Sequence, residues 1–348
     1  MPRSSSSTST PSVPSAPSST SASSTFEASS STGPADASAS ANSVSFSRSA
    51  KPTGRGSASY ERQEAKAALL FILPAFALLA VFIFYPMLQA LWISFRHYNL
   101  ISAESAFAGF GNYGKLLGDD AFLASLRHSF YFTVVVLPVQ TAISLWLALL
   151  IQRRFRGVGF FRTVYFLPVA VSFAIASTIF RLIYNKDYGM LNIVLKGLGL
   201  PVLDFLSNPD ISMLGIIILC IWRAMGFVMV IFLAGLNNIP DYLYEAAHVD
   251  GAGPLQRFYY VTIPLLKRTL AFVVIITTMD ALKIFIPIYI TTSGGPAGST
   301  STVVHFIYET AFKQMNMGYA AAAAFLFFLL VLAISAVQLR LFRSDVEY

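Results

Sequence analysis

Six stretches of this chain are long and apolar enough to cross a bilayer as helices, and nothing else in the sequence limits its fold as strongly. They lie at roughly 67–92, 130–151, 161–184, 211–236, 269–291 and 319–341, each near the ~20 residues that a helix needs to span the hydrocarbon. In lipid every backbone N–H and C=O must be satisfied internally, so such runs become helices. Hydrophobic residues make up 55% of the chain and charged residues only 12%, against about 45–50% and 25% in soluble domains. The expected fold class is an all-α integral membrane protein with six transmembrane helices. Pro74, Pro86, Pro138, Pro168 and Pro287 fall inside these runs, where neighbouring helices can re-satisfy the backbone groups they free.

Residues 1–62 differ in kind. Serine fills 23 of the first 60 positions, and such a segment cannot bury enough surface to offset the entropy of ordering. A disordered Ser/Ala/Thr/Pro-rich cytoplasmic tail is expected at 1–62, followed by a membrane domain at 63–348. The tail lacks the apolar core of a secretory signal. The one cysteine, Cys220, can form no internal disulfide and says nothing about redox compartment. A net charge of +7 could suggest nucleic acid, but the basic residues cluster beside apolar runs, a mark of topology. With the amino terminus inside, thirteen Lys and Arg residues from Lys51 onward fall on cytoplasmic segments and six on external ones. The bias places both termini in the cytoplasm.

Between the fourth and fifth runs lies a polar, glycine-punctuated connection, 238–266. Ile239-Pro240-Asp241 ends the fourth run and starts a short helix over Tyr242–Val249, with Asp241 as its cap. Asp250-Gly251-Ala252-Gly253-Pro254 breaks that helix, because glycine permits a left-handed turn and proline restarts a helix at its first position. A second short helix is expected over Leu255–Val261, giving a helix–turn–helix elbow that is cytoplasmic by the charge argument.

Within this elbow, Glu245-Ala246-Ala247, then Gly251, then Val261-Thr262-Ile263-Pro264 resembles the EAA loop of ATP-binding-cassette (ABC) importer permeases. That loop reads E-A-A, three residues, G, nine residues, I-x-L-P. Other segments are similar to carbohydrate-importer permeases of the maltose-system kind. They are Phe110-Gly111-Asn112-Tyr113, Arg162 through Pro168, Tyr188-Gly189 with Leu191-Asn192, Gly294-Gly295-Pro296 with Ser299-Thr300, and Gly318-Tyr319-Ala320. The resemblance runs from about residue 67 onward. It implies a pore subunit of a sugar importer in a bacterial inner membrane, working by alternating access. Implied partners are a second related permease, two ABC ATPase subunits and an extracytoplasmic sugar-binding protein. It also implies ATPase coupling through Glu245, Ala246, Ala247, Asp250, Gly251 and Pro264, with His248 as a surface contact. No G-x-x-x-x-G-K-[ST] run occurs, so ATP and Mg²⁺ are expected on the partner ATPase, with no cofactor on this chain and no catalytic residue.

Counted from the EAA glutamate, the resemblance gives a tentative solute pathway. It comprises Cys220, Ala224 and Phe227 on the fourth span, with Thr277, Asp280, Ala281 and Ile284 on the fifth. Arg223, Asp280 and Lys283 are ionisable residues inside spans and need partners or a wet cavity. Asp280 and Lys283, three apart, are spaced to pair on one helix face or to line the pathway. Tyr85, Tyr184 and Tyr289 are expected at the membrane interface. No metal-ligand spacing, paired carboxylates or Ser/His set points to a metal site or an enzyme. The alternatives are an ion-coupled secondary transporter, which commonly shows inverted repeats not seen here, and an ABC importer for a non-sugar solute. A membrane sensor is a further class, disfavoured by the intact elbow.

Overall fold

The computed structural model describes residues 57–101, 105–152 and 156–342. Residues 1–56 of the expected tail, and the basic residues Arg153, Arg154 and Arg343, lie outside them. Two units partition the chain, 1–67 and 68–348. In the first, residues 57–67 are helical, so helix begins inside the stretch read as tail. The second unit is described below.

The described residues are predominantly helical. Helix α1 (Ser57–Leu79) runs through one π turn, Ala80–Phe84, into α2 (Tyr85–Ser94). The turn sits immediately before Pro86, which has no N–H to donate, and the backbone widens so that Tyr85 N–H bonds Ala80 C=O instead. A short hairpin follows, β1 (Arg96–Tyr98) antiparallel to β2 (Ser105–Phe107), with Arg96 opposite Phe107. Then come α3 (Gly111–Leu117), α4 (Asp120–Gln152), α5 (Val158–Ala170), α6 (Phe173–Ile183), α7 (Met190–Gly197) and α8 (Pro209–Asn237). The remainder is α9 (Asp241–Val249), α10 (Pro254–Arg257), α11 (Ile263–Leu265), α12 (Lys267–Leu282), α13 (Ile286–Thr291), α14 (Val303–Tyr308) and α15 (Met317–Leu341).

Among the described residues, five helical stretches are long and apolar enough to cross a membrane: 67–94, α4, α8, 267–291 and α15. The third apolar run is no straight span. Helices α5 and α6 meet at a bend of 97°, just after Pro168, and Ser172 caps α6 by accepting from Ile175 N–H. Helices α4 and α8 are the central pair, with α5 on α8, α12 on α4 and α15 on α2. Their core falls into three clusters, an upper one around Phe132, Ile216, Leu219 and Ile288, a lower, elbow-end one around Leu147, Phe232, Leu236 and Leu266, and a third around Leu116, Phe122, Ala323 and Phe327. Close approach of α5 to α8 depends on Gly226, where any Cβ would run into the Tyr165 carbonyl.

Several of the family-like segments turn out to be staples. Asn112 Nδ2 donates to the carbonyls of Ser94 (2.8 Å) and Arg96 (3.0 Å), and a Cβ at Gly318 would overlap the Arg96 carbonyl. Asn192 donates to Leu203 C=O and accepts from Leu203 N–H, each at 2.9 Å, while Gly189 leaves no room for a side chain against Asn185. Tyr319 donates to Asp119 at 2.7 Å. Tyr184 corrects the interface expectation: it is 5% exposed, and its hydroxyl donates to Gly215 C=O at 3.0 Å.

Candidate functional site

Two sites emerge, a cavity between the long helices and the elbow at one end of two of them. The cavity has a volume of about 490 Å³. All seven residues of the expected pathway line it: Cys220, Ala224 and Phe227 from α8, Thr277, Asp280 and Ala281 from α12, and Ile284 just beyond. Sequence reasoning left out the wall from α4, where Phe132, Val136 and Gln140 contribute, and the share of Val169 and Phe173 at the α5–α6 bend. Only the apolar periodicity of α4 hinted at them, and periodicity does not say which neighbour a face meets.

Both backbone breaks in the long helices open onto this cavity. At the first, Arg223 reaches from α8 to the carbonyls freed where α5 stops. Its Nε donates to Val171 C=O at 3.0 Å and an Nη to Val169 C=O at 3.4 Å. Its guanidinium lies 3.8 Å from the centre of the Phe173 ring, a cation–π contact that holds the first turn of α6 as well. One side chain thereby satisfies acceptors that would otherwise be stranded at membrane depth. At the second break, α12 ends at Leu282 and α13 restarts at Ile286, with Pro287 in its first turn.

That second break overturns the pairing of Asp280 with Lys283. Lys283 is the first residue past α12, so the two no longer share a helix face, and no ion pair joins them among the described residues. Both instead line the cavity. Thr277 adds a buried hydroxyl, 4% exposed, whose oxygen has no hydrogen-bond partner among the described residues. The cavity thus combines aromatic faces with a few convergent polar groups, as small-molecule sites do.

The elbow forms a helix, a turn and a second helical segment. Helix α9 runs Asp241–Val249 with Pro240 at the cap position and no side-chain cap bond. Asp241 is therefore the first helical residue rather than the cap, and its charge stabilises the helix start. Gly251 has φ +77°, the left-handed turn expected of it, and Pro254 opens α10. Gln256 accepts from Gly253 N–H at 2.7 Å. The second segment is wound more loosely than expected, with a π turn over Phe258–Thr262, again just before a proline, Pro264.

One side of the elbow is fastened to the lower core: Leu243, Tyr244 and Leu265 pack on it, and the Tyr244 hydroxyl meets Thr262 Oγ1 at 3.1 Å. The other side is open. Glu245, Ala246, Asp250, Gly251 and Pro264 are exposed and Ala247 is half-buried. Large apolar side chains stand among them, Val249 at 86% and Leu255 at 71% exposure. The elbow is also continuous with the cavity walls, since α8 enters it at Asn237 and α12 leaves it at Lys267.

Comparison with known proteins agrees with this architecture. The family described as binding-protein-dependent transport system inner membrane component matches residues 140–344. The trehalose/maltose transport system permease protein MalF of Thermococcus litoralis is 36% identical over 288 residues, covering 81% of this chain and 96% of that protein. The sn-glycerol-3-phosphate transport system permease protein UgpA of Agrobacterium fabrum is 33% identical over 280 residues, covering 80% and 95%. A solved bacterial alginate ABC transporter shares the fold, with a TM-score of 0.73 at 22% identity over 82% of this chain and 96% of that one. A family match over more than half of the chain, and relatives aligned along four-fifths of it, place this protein among the binding-protein-dependent transport system inner membrane components, the permease subunits of ABC transporters.

Proposed function

We propose that this chain is a pore-forming subunit of an ATP-driven sugar importer and that its elbow is the ATPase docking site. The observation that carries this reading is mechanical: the two helices that leave the elbow, α8 and α12, supply six of the seven expected pathway residues, and the seventh, Ile284, lies just past the end of α12. Movement of the elbow is therefore delivered to two cavity walls at once. Its exposed face, with Ala246, Ala247 and Gly251 small and Val249 and Leu255 apolar, suits close packing against another protein. Relatives named for trehalose/maltose, sulfoquinovosyl glycerol and sn-glycerol-3-phosphate transport support a sugar or sugar derivative as solute.

In this reading the bent α5–α6 pair counts as the third of six spans, and both termini and the elbow face the cytoplasm. A second related permease completes the pore. Two partner ATPases bind ATP and Mg²⁺, and a binding protein delivers the solute from outside; the alginate transporter was solved with such a periplasmic protein. ATP binding and solute delivery each favour one of two pore states, and that differential affinity drives alternating access.

The test uses the complex purified from native membranes and reconstituted in proteoliposomes. Glu245→Lys and Val249→Asp should leave the chain folded in the membrane, release the ATPase subunits on purification, and abolish ATP-driven uptake. Retained ATPase and full uptake in both variants would remove the docking assignment.

A further inference from the structure

We infer that the solute accepted by the cavity carries a negatively charged group, a carboxylate, sulfonate or phosphate on a carbohydrate frame. The inference rests on the cavity being the solute pathway. Three ionisable side chains line it, Arg223, Lys283 and Asp280, leaving one cation in excess. No carboxylate of the described residues lies within ion-pairing distance of either cation. The Val169 and Val171 carbonyls and the Phe173 ring satisfy Arg223's donors, but dipoles and a quadrupole do not cancel a whole charge.

Lys283 sits at the carboxyl end of α12, where the helix dipole favours a cation, and no carboxylate among the described residues pairs with its ammonium. The wall therefore offers two cations against one carboxylate. Uncompensated charge at membrane depth is costly, and a neutral sugar would hydrogen-bond Thr277 and Gln140 yet leave the imbalance in place. An anionic solute meets both needs.

The cavity's field can be read by thiol labelling in the assembled transporter. The reporter is Ala224→Cys in a Cys220→Ser background, with Leu198→Cys, just past α7 and 69% exposed, as the control. Rates with sulfonatoethyl and trimethylammonioethyl methanethiosulfonate are each normalised to a free thiol. The anionic reagent should react at least tenfold faster at position 224, the scale of one unit charge as far as roughly 12 Å away at an effective dielectric of about 20, and Lys283→Gln should bring the ratio near one. Glycerol 3-phosphate and glucuronate should protect the reporter where maltose at equal concentration and ionic strength does not. Equal rates, a preference for the cationic reagent, or protection by maltose alone would overturn the charge inference while leaving the pathway standing. No labelling at 224 by either reagent, with the control labelled normally, would overturn the pathway reading and the inference together.

Discussion

Gly226 and Gly251 sit at opposite ends of the same machinery and are glycines for opposite reasons. At the cavity wall Gly226 has an ordinary backbone but no space, because the Tyr165 carbonyl occupies the place of a Cβ. In the elbow Gly251 has nothing within 4 Å of a Cβ but holds φ +77°. The wall is specified by packing between distant segments, whereas the elbow is specified by the conformation of its own few residues. A wall of that kind is rigid because it cannot yield, whereas the turn of the elbow keeps its shape with nothing packed where a Gly251 side chain would stand, leaving one face free.

The contrast can be broken at three points. Gly226→Ala should be the most damaging, because backbone on both sides must shift; a loss of about 3 kcal/mol is expected, read as a lower thermal midpoint in detergent and less chain in the membrane. An unchanged midpoint would mean that α5 and α8 can separate freely. Arg223→Gln should cost about 2 kcal/mol, the penalty of stranding buried acceptors, and should also lower uptake by letting the α5–α6 bend relax. The same stability loss with normal uptake would make the arginine a brace and nothing more. Gly251→Val should cost roughly 1–2 kcal/mol from the left-handed backbone alone, while Gly251→Asn, which tolerates that conformation, should stay within about 0.5 kcal/mol of the parent. If Asn and Val were equally harmful to the isolated subunit, space rather than φ would be limiting, and the contrast between the two glycines would fail.

The same contrast explains what could be read in advance. The elbow was legible because its signals are local: Gly251, Pro254 and Pro264 each act within a few residues of where they stand. The cavity-lining positions of α8 and α12 were legible through the family resemblance, counted from the EAA-like glutamate. What escaped depends on partners far away in sequence. The loss of the Asp280–Lys283 pairing follows from a helix ending one residue too early, and Tyr184 is buried because Gly215 and Phe205 happen to lie against it. Asp241 lost its cap role because Pro240, with φ already fixed, takes that position. The segments that mark the sugar class, around Asn112, Asn192 and Gly318, hold loops to helices, so they report fold kinship more directly than solute.

The π turn over Phe258–Thr262 has a consequence for everything downstream of it. One additional residue in a turn advances a helix by about 100°, so the side of α12 presented to α4 and α8 depends on how many residues are wound before Pro264. Thr277, Asp280 and Ala281 meet the cavity by virtue of that phase as much as by their identity. A single inserted or deleted residue beside the elbow would leave every side chain of α12 intact and aim a different set of them at the cavity, so in this protein the register of a turn is itself a determinant of what lines that cavity.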